Sequence, residues 1–166
     1  MKNILYLFLV LTSFEISAQT TAEEYISSGA SKFYLDDMKG AMVDYTKAIK
    51  IDSNFVEAYR KRGLAKERLK DFSGAIVDYT KAIEIDSNYA PAYRDRGISK
   101  DKLKDFSGAI ADYTKAIELD PNYAIAYFNR GVCKFYLGDM IGACNDASKA
   151  QKLGGDASIL IKKACN

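Results

Sequence analysis

The chain has 166 residues, of which 48% are hydrophobic and 28% are charged, a mixture typical of a folded globular domain rather than of a disordered chain. Its 24 lysines and arginines nearly balance its 22 aspartates and glutamates, so the formal net charge is only +2. This balance provides no broad positive field for binding nucleic acid or an anionic membrane, so any partner must be recognised by a local surface.

The N-terminus has the order of residues found in a secretory signal. Lys2 supplies a positive charge, residues 4–11 form an unbroken apolar run (ILYLFLVL), and a polar stretch then leads to Ala18. This order predicts a signal peptide over residues 1–18, whose removal leaves a mature chain without stable membrane insertion. The alternative is a retained anchor, although crossing a bilayer takes about 20 apolar residues. We therefore predict an exported protein, periplasmic or secreted.

One pattern then repeats four times with a period of 34 residues. The period is set by the glycines Gly29, Gly63, Gly97 and Gly131. Other columns that follow it are Tyr25, Tyr59, Tyr93 and Tyr127, then Leu35, Leu69, Leu103 and Leu137, then Ala48, Ala82, Ala116 and Ala150. A fixed period between 20 and 50 residues indicates a solenoid whose units stack and share one continuous core.

Each unit contains two stretches with helical spacing, separated by a short break. We predict that the break residues Asp37, Asp71, Asp105 and Asp139 cap the second helix of each unit. We predict that Asn54, Asn88, Asn122 and Asp156 cap the following first helix. Gly63 and Ala75 are expected on facing sides of the helical hairpin, where their small size would let the two backbones approach closely.

The combination Tyr-x-x-x-Gly, Gly-Ala, Tyr-x-x-Ala and Asp-Pro-Asn at this period resembles the tetratricopeptide repeat. The resemblance implies an all-α fold, a right-handed α-solenoid of four helix-turn-helix repeats. The implied repeats cover residues 22–55, 56–89, 90–123 and 124–157. Arg62, Arg96 and Arg130 stand where this family usually has Leu, and Lys66 stands at its usual Tyr. Long Arg and Lys stems can cover apolar surface while their charged ends reach water.

The stretch 158–166 is too short for another helix pair and is predicted to be a C-terminal capping helix. We expect this helix, from Ser158 to Cys165, to lay Ile159 and Leu160 on the last repeat while its two lysines face water. Ala147 replaces the tyrosine found at this column in the other repeats, a change that suits the end of a solenoid.

The sequence predicts a protein that is not an enzyme and has no cofactor or metal. The chain has no histidine, and its glycines follow helix packing instead of forming a phosphate-binding loop. We expect the acids to serve as helix caps or as exposed ion pairs, such as Asp78 with Lys81 and Asp112 with Lys115. The alternative is a repeat-built enzyme acting through a carboxylate or Cys133.

Three cysteines lie in the last repeat and the cap, and they form no Cys-x-x-Cys motif. An exported chain favours disulfide formation. Cys144 shares a column with Ile76 and Ile110, which should face the following helix, so we predict a bond between Cys144 and Cys165 with Cys133 free. Secreted proteins that resemble this one often carry cysteines at these two places. The alternative is three buried thiols that pack as small apolar side chains.

In the tetratricopeptide-repeat family the first helices line the concave face, which implies a binding surface here. The predicted partner-binding residues are Ile26, Phe33, Tyr34, Arg60, Glu67, Arg68, Arg94, Asp101, Lys102, Phe128, Phe135 and Tyr136. Arg60 and Arg94, one repeat apart, are predicted to hold a carboxylate or an extended acidic peptide. The aromatic residues at both ends would supply anchors. The alternative is that Phe33 and Phe135 only seal the ends.

The resemblance therefore predicts a protein–protein interaction module. We expect it to bind a peptide or partner protein on the concave face, as an adaptor or scaffold in the bacterial cell envelope. The family's clamp for C-terminal carboxylates needs Asn where this chain has Ala30, Leu64, Ile98 and Val132, so that activity is not expected. The alternative is a structural protein that self-associates by docking through its end repeats. No nucleic-acid partner is expected.

Overall fold

The computed structural model of the chain describes residues 21–165, and in this range the backbone forms helices and no strand. The described part of the first helix, α1, covers residues 21–34. The helices that follow are α2 Met38–Ile51, α3 Val56–Arg68, α4 Phe72–Ile85, α5 Ala90–Lys102, α6 Phe106–Leu119, α7 Ala124–Tyr136, α8 Met140–Lys152 and α9 Ser158–Ala164. The predicted signal peptide, residues 1–18, lies outside the described residues.

The helices pack in chain order. From α2 to α9 each helix packs on the next, and the first helix of one unit also touches the first helix of the next, as α3 does with α5 and α5 with α7. A unit therefore contacts only its neighbours, which is the defining property of a solenoid. The predicted all-α solenoid of helix pairs with a C-terminal capping helix is confirmed.

A tyrosine ring and a glycine form the contact between the two helices of a unit. Tyr79 is fully buried, and a Cβ atom on Gly63 would lie 2.5 Å from its Cε1 atom. The same contact joins Gly29 with Tyr45 and Gly97 with Tyr113. We expected Gly63 to serve close approach of two backbones. Instead, the missing side chain makes room for an aromatic ring of the second helix, where any larger residue would clash.

The four predicted aspartate caps are confirmed. The carboxylates of Asp37, Asp71, Asp105 and Asp139 each accept a 2.9 Å hydrogen bond from the backbone amide three residues further on. Each aspartate stands at the N-cap of its helix and satisfies one of the amides that the first turn leaves without a helical partner.

The asparagine caps predicted for the first helices are wrong. Helices α3, α5 and α7 have the aromatic residues Phe55, Tyr89 and Tyr123 at their N-caps, with no side-chain hydrogen bond. Each asparagine lies one residue earlier, in the preceding turn. There the carboxylates of Asp52, Asp86 and Asp120 accept hydrogen bonds of 2.9 to 3.0 Å from the backbone amides of Asn54, Asn88 and Asn122. Asp156 likewise accepts from the amide of Ser158, and Ala157 is the N-cap of α9.

A buried aspartate on each second helix binds the first helix of the same unit. Asp78 is 2% exposed and accepts hydrogen bonds from Arg62 Nη2 at 2.6 Å and Arg62 Nε at 2.9 Å, while Lys66 Nζ lies 2.8 Å from the same carboxylate. Asp112 is bound in this way by Arg96 and Lys100, and Asp146 by Arg130 and Lys134. In the first unit Ser28 and Lys32 bind Asp44. These partners offset the cost of burying a carboxylate.

The predicted exposed pairs of Asp78 with Lys81 and Asp112 with Lys115 are therefore wrong. Each aspartate faces the first helix because it lies three residues after one buried alanine and four before the next, on the buried side of its own helix. Lys81 and Lys115 instead pair on the outer face with Glu84 and Glu118, at 3.1 and 3.2 Å.

The same network links successive units. Arg62 donates from Nη1 to Thr46 Oγ1 of the preceding unit at 3.1 Å, and Arg96 and Arg130 make the same contact with Thr80 and Thr114. The arginine and lysine columns thus carry buried hydrogen bonds, not only apolar stems over the surface.

Helix α9 covers the open end of the last unit. Leu160 is buried, and its Cδ2 atom lies 3.1 Å from the position of a Cβ on Gly131. In the other units a tyrosine ring fills this space. The last unit has Ala147 in the tyrosine column, and Leu160 fills the space instead. The prediction that Ile159 also packs on the last unit is wrong, because the short helix buries one side only and Ile159 is 73% exposed.

Cys144 of α8 and Cys165 after α9 form a disulfide with their Cα atoms 5.1 Å apart, and Cys133 is a free, buried thiol. Among residues 21–165, no helix combines the length and hydrophobicity needed to cross a membrane.

Candidate partner-binding surface

The middle of the predicted concave surface is an internal ion cluster. Asp95, 1% exposed, accepts hydrogen bonds from Arg60 Nε at 2.8 Å and from Arg94 Nε at 2.7 Å. Glu57 also pairs with Arg60 at 3.3 Å. Burial by itself lowers the pKa of the Arg60 guanidinium, but the surrounding negative charges, Asp95 foremost, raise this pKa above its ordinary value. The two arginines predicted to hold a ligand carboxylate are thus already bound to a carboxylate of the chain.

A second polar contact joins the second and third units beside this cluster. The carboxylate of Glu67 accepts hydrogen bonds from Ser99 Oγ at 2.8 Å and from the Tyr79 hydroxyl at 2.9 Å. Burial raises the pKa of Glu67, while its two hydroxyl donors act in the opposite direction. One repeat later the related contact is between Cys133 and Asp101, at 3.8 Å from sulfur to oxygen.

Cys133 is a protonated, inaccessible thiol at neutral pH. Burial, and after it the negative charge of Asp101, raise the pKa of its thiol to about 12. A thiol acts as a nucleophile through its thiolate, so this environment is that of a structural cysteine. The described residues contain no cluster of three or more acidic or cysteine side chains arranged to hold a metal ion.

The N-terminal end of the surface is largely covered by its own neighbours. Ile26 and Phe33 pack on the buried cluster around Tyr45. The Arg68 guanidinium lies over the Phe33 ring, 5.6 Å from its centroid, and also binds Asp36 at 3.1 Å. Of the predicted residues at this end, Tyr34 is the most exposed, with 90% of its surface open to solvent.

The C-terminal end forms an apolar cleft of about 220 Å³ between α7 and α9. Its walls come from Phe128, Val132, Phe135 and Tyr136 of α7 and from Ile159, Leu160 and Lys163 of α9. Tyr136 is 61% exposed and stacks on Phe106 with ring centroids 5.1 Å apart, so its position is supported from the third unit. We call this site the α7–α9 cleft.

The α7–α9 cleft arises from departures from the repeat pattern. Phe128 stands where the second and third units have Arg60 and Arg94, Phe135 where they have Glu67 and Asp101, and Tyr136 where they have Arg68 and Lys102. Each change replaces a polar or charged side chain by an aromatic one. The α7–α9 cleft is therefore the candidate binding site on this face.

The structure divides the predicted residues among three places. Phe128, Phe135 and Tyr136 meet at the C-terminal end. Arg60 and Arg94 meet at Asp95 in the middle, and Ile26, Phe33 and Arg68 lie together at the N-terminal end. Lys102 lies near the end of α5 and takes no part in the ion cluster. Sequence reasoning missed Ile159, Leu160 and Lys163 as walls of the cleft. The predicted packing of the capping helix on the last repeat was a signal for Ile159 and Leu160, but it did not indicate that α7 and α9 would enclose a cleft.

Two family models match the sequence. A tetratricopeptide-repeat model covers residues 56–89, and a second TPR-repeat model covers residues 102–138. No curated protein matches the chain significantly.

Many solved structures share the fold. The crystal structure of MamA aligns at 25% identity with a TM-score of 0.77, covering 88% of this chain and 82% of MamA. The first TPR domain of Spaghetti (RPAP3), solved with the HSP90 peptide SRMEEVD, aligns at 27% identity with a TM-score of 0.71, covering 72% of this chain and 95% of that one. The Arabidopsis OM64 TPR domain aligns at 27% identity with a TM-score of 0.70, covering 72% and 98%.

Fold, repeat and site together define a helical solenoid with a surface suited to protein contacts. The chain is a tetratricopeptide-repeat protein, and proteins of this kind are generally non-enzymatic protein–protein interaction modules.

Proposed function

We propose that this protein binds an extended peptide segment of a partner protein on its concave face, with an apolar side chain of the segment seated in the α7–α9 cleft. The observation that carries the proposal is the cleft itself, with its aromatic wall on α7 and the exposed Ile159 on α9. Aromatic side chains that become fully desolvated when a partner binds are the usual anchors of protein interfaces.

The ion cluster gives the middle of the face a positioning role. Because Arg60 and Arg94 share the Asp95 carboxylate, a ligand carboxylate would have to compete with an internal one that is already desolvated. We infer that the cluster holds the second and third units rigidly and that the apolar end supplies most of the affinity.

The relative solved with a bound peptide supports a peptide as the ligand class. The RPAP3 TPR domain was solved with the peptide SRMEEVD. Nearly the whole length of that domain, 95%, aligns with this chain. The peptide proposed here differs in chemistry, since the α7–α9 cleft offers aromatic and aliphatic walls with one lysine.

We further propose that the protein acts as an adaptor or scaffold in the cell envelope, periplasmic or secreted. The predicted signal peptide over residues 1–18 supports export. The disulfide between Cys144 and Cys165 is the second support, because disulfides persist in oxidising compartments.

The first step of the test is to capture partner proteins from envelope extract with the immobilised mature chain, residues 19–166. The second step is to measure the binding of labelled fragments of each captured protein to the chain by fluorescence anisotropy. The decisive variant is Phe128→Arg with Phe135→Glu, which restores the residues of the second unit at these columns. We expect this variant to lose the fragment that the parent chain binds. Val77→Ser, an exposed apolar change on α4, is the matched control and should bind like the parent.

Circular dichroism must show equal helicity in all three proteins. Equal binding by the double variant and the parent would place the partner elsewhere and overturn the proposal. If no fragment binds while light scattering shows an oligomer whose size depends on concentration, the self-association alternative replaces it.

A further inference from the structure

A second surface lies on the outer side of the first unit. A cleft of about 500 Å³ runs along α2, with an apolar floor of Met42, Val43 and Leu69 and a rim of Lys39, Lys47 and Lys50. Val43 is 54% exposed and Leu69 46% exposed, so the floor is open to solvent. We call this site the α2 cleft. It shares no residue with the α7–α9 cleft.

The second unit provides an internal comparison for its charge. The corresponding cleft there has a similar volume, about 520 Å³, and is lined by Ile76, Val77, Lys81 and Glu84 among others. Lys81 is paired with Glu84 at 3.1 Å. In the first unit Lys50 replaces this glutamate, and Lys39 replaces Ser73. At these columns the first unit therefore has one acid fewer and two cations more than the second.

The lysines of the α2 cleft are poorly neutralised. Among the described residues, Lys39 and Lys50 have no carboxylate within salt-bridge distance, and the acidic partner of Lys47 is Asp44 at 3.7 Å. Asp44 is buried and already bound by Lys32 at 2.6 Å. Lys47 also lies over the Tyr25 ring, 4.9 Å from its centroid. The rim thus carries positive charge that residues 21–165 leave largely unpaired.

We propose that the α2 cleft binds an acidic amphipathic segment of a partner protein. Its apolar side chains lie on Met42, Val43 and Leu69, and its carboxylates pair with Lys39 and Lys50. A concave floor suits inserted side chains, whereas a lipid headgroup layer is flat and would leave the floor empty. With the α7–α9 cleft at the opposite end of the solenoid, this second surface lets one molecule hold two different partners at once.

The probe is a short fluorescein-labelled peptide in which leucine recurs at helical spacing and the remaining positions are glutamate. Binding is measured by anisotropy. In the parent chain we expect saturable binding that weakens with added salt, because exposed charges are screened. The variant Lys39→Ser with Lys50→Glu carries the second unit's residues and should bind at least about tenfold more weakly, since two surface charge contacts are lost and one is reversed.

A reciprocal variant tests transfer of the site. Ser73→Lys with Glu84→Lys gives the second unit the lysine pattern of the first and should raise the peptide stoichiometry from one to two. The variant Phe128→Arg with Phe135→Glu changes the α7–α9 cleft and should leave binding of the acidic peptide to the α2 cleft unchanged. This result would distinguish the present inference from the proposed function.

Three outcomes would overturn the proposal. The first is equal binding of the peptide by the parent and the Lys39→Ser, Lys50→Glu variant. The second is equally tight binding of a peptide with lysine in place of every glutamate. The third is binding to vesicles containing phosphatidylglycerol without binding to the acidic peptide, which would identify a lipid surface as the occupant.

Discussion

The second and third units and the last unit with α9 solve the same packing problem in different ways. In the middle units a tyrosine ring enters the space left by glycine, and the concave side is tied by Arg60, Asp95 and Arg94. In the last unit Ala147 stands in the tyrosine column, Leu160 fills the space from outside, and aromatic residues replace the polar ones.

The difference shows what a neighbour imposes on a repeat. A middle unit faces near-identical units on both sides, so near-identical residues meet near-identical interfaces. The last unit faces a single short helix instead. Its residues change where that helix lies, and the changes leave a partly open apolar cleft. The interior network of Arg130, Lys134 and Asp146 stays the same, because it lies within the unit and its one outside contact, from Arg130 to Thr114, is with the preceding unit and not with α9.

The largest effect is expected from removing the network that both regions share. Asp78→Ala leaves Arg62 and Lys66 without their carboxylate in a largely buried site and should lower the free energy of unfolding by about 3 to 5 kcal/mol. Asp146→Ala should cost the same. Urea denaturation measures both values.

Glu84→Ala removes an exposed ion pair and is the control, with an expected cost below about 1 kcal/mol. A clear difference between Asp78→Ala and Asp146→Ala would show that the two regions differ in their interiors as well as at their surfaces.

The next effect is confined to the end of the solenoid. Replacing Cys144 and Cys165 by Ser frees α9 and should lower the free energy of unfolding by about 3 kcal/mol, because the disulfide closes a loop of 21 residues in the unfolded chain. Reduction of the parent protein should give the same loss. Urea denaturation with and without reductant checks it.

Cys133→Ser is the matched control, because Ser99 occupies this column in the third unit. Its stability should respond to reductant as that of the parent does. A response to reductant in the Cys144→Ser, Cys165→Ser variant would contradict the assignment of the effect to this disulfide.

A pair of glycine substitutions separates the two ways of filling the hairpin. Gly63→Ala drives a Cβ to 2.5 Å from the buried Tyr79 ring and should destabilise the protein by about 2 kcal/mol. Gly131→Ala is less crowded, because its Cβ would lie 3.1 Å from the Leu160 Cδ2 atom, 3.2 Å from the Asp146 Cβ atom and 3.3 Å from the Ala143 carbonyl oxygen. Alanine has a better helix propensity than glycine by about 1 kcal/mol at both positions, so Gly131→Ala should cost clearly less than Gly63→Ala. Equal costs in thermal unfolding would contradict the comparison.

The smallest effect is a pH dependence that arises from Glu67 of the second unit. Burial raises the pKa of Glu67 above its ordinary value of 4.5, so the folded protein holds this proton more tightly than the unfolded chain does. Ionisation of Glu67 therefore lowers stability as pH rises from 4.5 through the folded-state pKa. Glu67→Gln removes this loss, and the stability of the variant relative to the parent should increase with pH over that window.

The measurement is urea denaturation of both proteins from acid to neutral pH. The last unit has Phe135 at this column, which does not titrate, so Phe135→Leu should change stability by an amount independent of pH. A constant difference between Glu67→Gln and the parent would contradict the raised pKa.

The architecture and part of the site could be predicted from the sequence. The 34-residue period, the aspartate caps and the aromatic residues of α7 are local or periodic features that can be read along the chain. The buried aspartates could not be placed in this way, since Asp78 shows the same spacing to exposed Lys81 as a surface pair would. One signal was available in the last three units. In each of them an arginine stands 16 residues before the buried aspartate, as Arg62 does before Asp78.

The sequence by itself determined the solenoid, the number of units and the place where the pattern ends, because helical spacing and period are properties of neighbouring positions. Only the tertiary structure decided that Arg60 and Arg94 are bound by Asp95 and that α9 supplies one wall of the cleft. These contacts depend on how helices far apart in the chain come together, and the composition of a single repeat does not specify whether a charge meets a ligand or another residue of the protein.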